Sequence, residues 1–138
     1  SHFNLVNEIE GGAVPETNLE RAPKLFHALH HCIRQGWIRS CHDLSEGGLA
    51  VAVAEMAFSG GVGAELKSDL SIIDLFSEST TRFVLEVTPE NVESVKAAMK
   101  ELPITEIGTT IDREQLQISG ESIPLGDLKN AWQETLRW

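Results

Sequence analysis

The sequence predicts an α/β (α+β) fold, a mixed β-sheet covered by helices. Three observations predict it. Stretches with helical apolar spacing alternate with short strand-like stretches along the chain, the pattern of layered helix-and-sheet folds. From Leu49 to Phe58 only Glu55 is charged, and a helix apolar on nearly all sides is buried rather than lying on the surface. A small hairpin pattern follows around Ser119-Gly120.

Composition bounds the function. The chain has 138 residues, enough for one domain with a real core. It carries 11 Lys and Arg against 21 Asp and Glu, a formal net charge of -10. That excludes a general nucleic-acid surface, which needs clustered cations. No apolar run reaches the roughly 18 residues of a membrane span. Cys32 and Cys41 make no disulfide framework. They read as free thiols in a reducing cytoplasm.

The elements follow in order. Phe3, Leu5, Val6 and Ile9 suggest a short helix within residues 1–9. Gly11 to Pro15 is a loop. Pro23 suits a first helical turn. Leu25, Phe26, Leu29, Cys32 and Ile33 then fall at helical spacing, and Gly36 stops the helix. His27 and His31 on its other face stand at i and i+4, a zinc-compatible spacing without a third ligand in the pattern. They read as solvated histidines. Trp37 and Ile38 open a strand that ends at His42 and Asp43. The buried helix follows, then the Ser59-Gly60-Gly61 turn and a strand from Val62 to Leu66. Asp69 to Phe76 reads as a short helix or turn, and Ser77 to Thr81 as a polar loop. Phe83, Leu85 and Val87 alternate with Val84 and Glu86, a half-buried strand. Thr88-Pro89 starts a helix with Val92, Val95, Met99 and Leu102 on its core face, and Pro103 stops it. Ile104–Ile111, Leu116–Ile118 and Glu121–Ile123 read as strands. A helix from Asp127 to Leu136 carries Leu128, Trp132 and Leu136.

Polar chemistry concentrates in one turn: His42, Asp43, Ser45, Glu46, Gly47 and Gly48. Ser45 has the chemistry of an N-cap. Two glycines in the first turn would leave backbone N–H groups open to a phosphate or to another backbone. Asp43 and Glu46 would repel a bare phosphate, a conflict that Mg²⁺ or a basic side chain from elsewhere would remove. The alternative is capping by Asp43 and Ser45, with the glycines permitting close helix–sheet packing. Both readings stand at this point. A Ser-His-Asp triad does not fit, because no Gly-x-Ser-x-Gly turn surrounds Ser45.

His42-Asp-Leu-Ser-Glu-Gly-Gly-Leu resembles the signature of the C-terminal domain shared by the aminoimidazole ribonucleotide synthase superfamily. Phe76-Ser-Glu-Ser-Thr-Thr-Arg-Phe, the Glu106-Ile-Gly-Thr segment and the Leu128–Leu136 ending resemble formylglycinamidine ribonucleotide synthases in particular. The resemblance covers nearly the whole chain. It implies the last domain of a much longer, ATP-dependent C–N ligase of purine synthesis. That ligase family joins glutamine-derived ammonia to formylglycinamide ribonucleotide, after phosphoryl transfer activates the amide oxygen. Residues 1–14 are then the tail of a preceding nucleotide-binding domain and a linker, and residues 15–138 the C-terminal domain.

The resemblance also implies where chemistry lies. ATP and Mg²⁺ belong to the full-length enzyme and are held mainly by the other domain type, with none expected here. Expected partners are other domains of the synthase, a glutaminase subunit or domain, and a small bridging subunit. No nucleic acid, membrane, metal ligand or catalytic residue is expected, and the isolated domain should be inactive. Ser1 resembles the serine of a substrate-contacting Gly-Gly-Ser motif, though the glycines are missing. Glu78 and Ser79 match, by pseudo-symmetry, a Glu-Ser-Gln loop that contacts substrate in the family's first half. Thr80 departs from that pattern. The family's ligand cleft lies between domain types, so the Ser40–Gly48 turn and the Glu78 loop should adjoin a bared face. Alternatives are another ATP-dependent superfamily member, similar to aminoimidazole ribonucleotide synthase, or a non-catalytic binding module.

Overall fold

A computed structural model describes residues 1–134. The chain opens with α1 (His2–Val6), an extended stretch, and α2 (Arg21–Arg34). Strand β1 (Ile38–Asp43) leads through a tight turn into α3 (Gly48–Gly60). After β2 (Gly63–Leu66) and α4 (Ile72–Phe76) comes β3 (Phe83–Val87). A 3₁₀ turn at Pro89–Asn91 runs into α5 (Val92–Ala98). The chain continues through β4 (Gly108–Ile111), β5 (Gln115–Ile118), β6 (Glu121–Pro124) and α6 (Leu125–Glu134). Leu136, expected on the core face of the last helix, lies outside the described residues.

The strands do not form the one sheet expected from the sequence. β1 and β3 make an antiparallel pair, with His42 opposite Val84 and Asp43 opposite Phe83. The other four form a mixed sheet in the order β4-β2-β5-β6, where β2 and β5 run parallel and the remaining pairs antiparallel. The reason lies in α3, which is apolar nearly all round. One sheet covers only one side of such a helix. Here α3 packs on β1 and β3, on β2 and β5, and on α4 and α6. Its Leu49, Ala52, Val53, Ala54 and Ala57 join Leu66, Val84, Leu116 and Leu125 in the main core.

The β1–β3 pair is covered on its other face by α2 and α5. Leu29, Cys32, Val95 and Met99 form a second core there, against Ile38, Phe83, Leu85 and Val87. The strand alternation read at 83–87 thus serves two cores, with Val84 pointing to α3. On α2 the buried stripe is narrower than the spacing suggests. Phe26 and Ile33 remain about half exposed, at 50% and 48%. Phe26 still meets Phe83 edge-on, with ring centroids 6.0 Å apart.

Local signals explain most boundaries. A capping box starts α4: the Ser71 hydroxyl accepts from the Asp74 N–H, and Asp74 Oδ2 accepts from the Ser71 N–H at 2.9 Å. Gln115–Ile118 and Glu121–Pro124 form the expected hairpin, with Ser119 and Gly120 both at positive φ (52° and 86°). Two positive φ values in a two-residue loop match the twist of antiparallel strands. The strand expected over Ile104–Ile111 is shorter, because only Gly108–Ile111 finds a ladder, against β2.

The start of α3 is the tightest approach. Gly48 has φ +65°, and a Cβ there would lie 2.8 Å from the Ser77 carbonyl oxygen and 2.9 Å from that of Leu75. Both atoms are backbone and cannot swing aside. Gly48→Val therefore destabilises the fold by about 1–3 kcal/mol or more through overpacking, with left-handed strain added. His42→Ala, at a half-buried strand end, costs less. Urea midpoints of the two variants check this ranking, and equal midpoints would refute it.

Candidate functional site

The polar turn between β1 and α3 is built by the two glycines, not by Ser45. Gly47 is the N-cap of α3 and sits in the left-handed region at φ +79°, with no side chain capping the helix. Gly48 follows at φ +65°, and its N–H bonds back to the Ser45 carbonyl at 3.1 Å. This path turns the Ser45 hydroxyl away from the helix. It donates instead to Asp43 Oδ2, so the expected Ser45 cap is not formed. That bond, first among the causes, holds the Asp43 carboxyl below its usual range.

The Gly47 N–H, expected to stand open to a ligand, is already taken. It donates to Glu78 Oε1 at 3.0 Å. The same oxygen accepts from the His2 backbone N–H at 2.7 Å and meets His2 Nδ1 at 3.2 Å. The Ser1 nitrogen lies 3.9 Å from Glu78 Oε2. One carboxylate thus serves the N-termini of both α1 and α3, where helix dipoles favour negative charge. Burial alone would raise the Glu78 pKa. The bonds from His2 and Gly47 outweigh it and hold the carboxyl below its usual value.

The structure therefore brings Ser1, Gly47 and Glu78 together, as candidates on three separate elements. Ser79 lies beside them, but its hydroxyl pairs with Ser77 Oγ at 2.8 Å. Ser1 caps α1, its hydroxyl accepting from the Asn4 N–H at 3.3 Å. Thr80 accepts from the Thr17 hydroxyl at 3.0 Å. Phe3 stacks on Phe76, centroids 4.8 Å apart, and closes α1 down beside the loop.

His42 occupies the other side of the turn. Its Nδ1 lies 2.7 Å from the Asp43 carbonyl oxygen and its Nε2 lies 3.0 Å from Glu55 Oε2. A carbonyl accepts, and so does a carboxylate, so the protonated ring, with both nitrogens donating, satisfies both contacts. The Asp43 carbonyl is the main cause raising the His42 pKa. Partial burial opposes it, and Glu55 adds to it. Glu55 Oε1 also accepts from Trp132 Nε1–H of α6 at 2.9 Å. His42, Asp43, Ser45, Glu46 and Glu55, with Val51 and Ala52, line a cleft of about 280 Å³. A larger hollow of about 590 Å³, between the ends of β2 and β5 and the β5–β6 turn, gathers none of the expected site residues.

Sequence reasoning missed His2, Glu55 and Trp132. The signal for Glu55 was present, as the one charge in an apolar helix. His2 and Trp132 become partners only through the fold.

The donor set does not fit Mg-ATP. Among the described residues, three carboxylates and His42 line the cleft, with no Lys or Arg, and Glu78 occupies the helix N–H a phosphate would take. No group of three or more His, Cys, Asp or Glu able to hold a metal occurs among the described residues. His31, one of the zinc-spaced pair, packs edge-on to Trp37, centroids 5.5 Å apart. No helix among the described residues is long and apolar enough to cross a membrane.

Residues 2–121 match the family model described as AIR synthase related protein, C-terminal domain. The chain belongs to that family. It is 38% identical over 137 residues to the phosphoribosylformylglycinamidine synthase subunit PurL of Alkaliphilus metalliredigens, covering 93% of this chain and 19% of the relative. The chain thus spans about a fifth of the length of the curated relatives it matches. Two solved structures of Thermotoga maritima PurL share the fold. The one complexed with FGAR has a TM-score of 0.70 at 17% identity, over 83% of this chain and 22% of that one. The one complexed with ATP has a TM-score of 0.65 at 19% identity, over 76% and 21%. The helix-and-mixed-sheet fold expected from the sequence is the fold of this family.

Glu78 is placed to stabilise rather than to react. Glu78→Ala is expected to cost about 1–3 kcal/mol at pH 7, since it leaves partly buried N–H donors unpaired. A depressed carboxylate pKa adds stability above the unfolded value, near 4.5, that is lost as pH falls through the folded value. The gap between wild type and variant should therefore narrow on acidification below pH 4.5. Denaturant unfolding at neutral and acid pH measures it, and a gap that stays constant refutes the role.

Proposed function

We propose that this chain works as the C-terminal domain of a phosphoribosylformylglycinamidine synthase. That enzyme makes formylglycinamidine ribonucleotide from formylglycinamide ribonucleotide, ATP and glutamine-derived ammonia, in cytoplasmic purine synthesis. One observation carries the reading: 38% identity extends over 93% of this chain yet covers only 19% of the relative. A match that is nearly complete on one side and a fifth on the other is the relation of one domain to a multidomain enzyme. The Thermotoga complexes named for FGAR and ATP support the same substrates.

Within that enzyme the domain is a scaffold and a wall of the cleft between domain types. The cleft chemistry described above supports this role. ATP and Mg²⁺ would be held by the nucleotide-binding domain, because nothing at the β1–α3 turn offsets a triphosphate's charge. Residues 1–14 join the two domains, and α1 is pinned to the Glu78 loop as such a junction requires. Other domains of the synthase, a glutaminase that supplies ammonia and a small bridging subunit complete the assembly. Ser1, Glu78 and Ser79 lie together on the side that faces the neighbouring domain.

Two measurements test the proposal. The 138-residue chain should form no formylglycinamidine ribonucleotide, and calorimetry with Mg-ATP should show no micromolar binding. The same chain grafted in place of the matching fifth of the Alkaliphilus subunit should support the synthase reaction. Product from the chain alone, micromolar Mg-ATP binding to it, or a folded but inactive graft would overturn the reading.

A further inference from the structure

The Glu55 carboxylate is shared between two distant parts of the chain. Oε2 takes the His42 Nε2–H of β1, and Oε1 takes the Trp132 Nε1–H of α6. Glu55 itself stands mid-way along α3, the helix at the centre of the main core and in contact with both sheets. Its side chain is 26% exposed and that of His42 32%, so water reaches the pair without dissolving it. Trp132 also lies against Phe58 of α3, ring centroids 5.8 Å apart. The seating of α6 on α3 therefore runs through an indole that touches α3 twice, once by its N–H and once by its ring.

We propose that His42, Glu55 and Trp132 form a proton-operated latch that ties the closing helix α6 to the β1–α3 turn. With both nitrogens protonated, His42 bridges the Asp43 carbonyl and Glu55. A neutral ring keeps one N–H and turns a lone pair toward the other acceptor. The shorter contact, to the Asp43 carbonyl, keeps the proton on Nδ1, so the Nε2 bond becomes a repulsion and the Glu55 carboxylate shifts, carrying the Trp132 N–H with it.

The groups around His42 favour the charged ring from every side. On β1, Asp43 Oδ1 lies 3.8 Å from Nδ1, while Cys41 points to the opposite face of the strand. From α3 comes Glu55. The turn adds Glu46 at the cleft rim. β3 places apolar Val84 opposite, with Phe83 and Leu85 beside it, and its Glu86 is held by the Ser40 hydroxyl at 2.8 Å. From α6 comes Trp132, acting through Glu55. Among the described residues that line the cleft there is no Lys or Arg to oppose protonation. A raised histidine pKa adds stability that is full below the unfolded value, near 6.5, and lost as pH rises through the folded value. The latch is therefore closed on the acid side and loosens on the alkaline side.

The test is an NMR titration of the full 138-residue chain, reading the His42 ring carbons and the Trp132 indole N–H from about pH 5.5 to 9. Both signals should move with one midpoint above 6.5. In Glu55→Gln the His42 midpoint should fall and the indole shift should vanish. In His42→Gln the indole should no longer respond to pH. A His42 midpoint at or below 6.5, or a Trp132 indole that does not follow His42 in the wild-type chain, overturns the proposal whether or not either variant folds.

Discussion

The structure depends on how the chain enters α3. An apolar helix enclosed by two sheets and two helices cannot have its first turn solvated in the ordinary way. The opening N–H groups of any helix need acceptors, and here water has little access, since Gly47 and Gly48 are both buried. Two consecutive left-handed glycines solve the entry. They let the backbone pass within contact distance of the α4–loop carbonyls. They also aim the Gly47 N–H at Glu78. A side chain at Gly48 would push α3 away from α4 and open the core that both sheets share.

This arrangement shows how a turn with the features of a phosphate site is satisfied from within the chain. The same features would suit an anion site: glycines, a helix N-terminus, exposed N–H groups. The anion is already present as a carboxylate of the same chain. Glu78 is supplied by the loop that packs against the turn, so its local concentration far exceeds that of a free ligand. The neighbouring charges agree, since Asp43, Glu46 and Glu55 repel phosphate and no Lys or Arg lines the cleft among the described residues. Motif and chemistry diverge because the motif encodes a backbone path, and the path serves packing as readily as binding.

Much of the fold was legible in the sequence because its signals are local. The helix stop at Gly36 and the Phe83–Val87 alternation need only a few neighbouring residues to act, whereas α5 ends at Ala98, well before the stop expected at Pro103. The Ser119-Gly120 hairpin also forms where it was expected. Failures arose where a distant partner decides. The Ser45 cap looked sound by residue type, but two positive-φ glycines changed the direction of entry. The α2 stripe was drawn too wide because Phe26 and Ile33 have helical spacing without a full neighbour to cover them. One sheet was expected where two exist, because the strand pattern does not state that α3 needs cover on both sides. Resemblance singles out Glu78 and Ser79, and the fold seats Glu78 against the Gly47 N–H. Glu55 was visible as an isolated charge, yet its partners His42 and Trp132 lie 13 and 77 residues away.

The uncovered residues carry the argument one step further. Leu5 and Val6 of α1 are 75% and 79% exposed, and Ile72 and Ile73 of α4 are 61% and 77% exposed. The two helices are joined by the Phe3–Phe76 stack, so these side chains belong to one neighbourhood beside Glu78. Single exposed apolar residues are common and need no account. Two adjacent pairs on contacting helices are different, since contiguous apolar surface marks a face that another body covers. On the function proposed above, the α1 segment and the exposed aliphatic residues of α4 would be two parts of one contact. Glu78 fixes the backbone from within, and those side chains would be left for a neighbouring domain to bury.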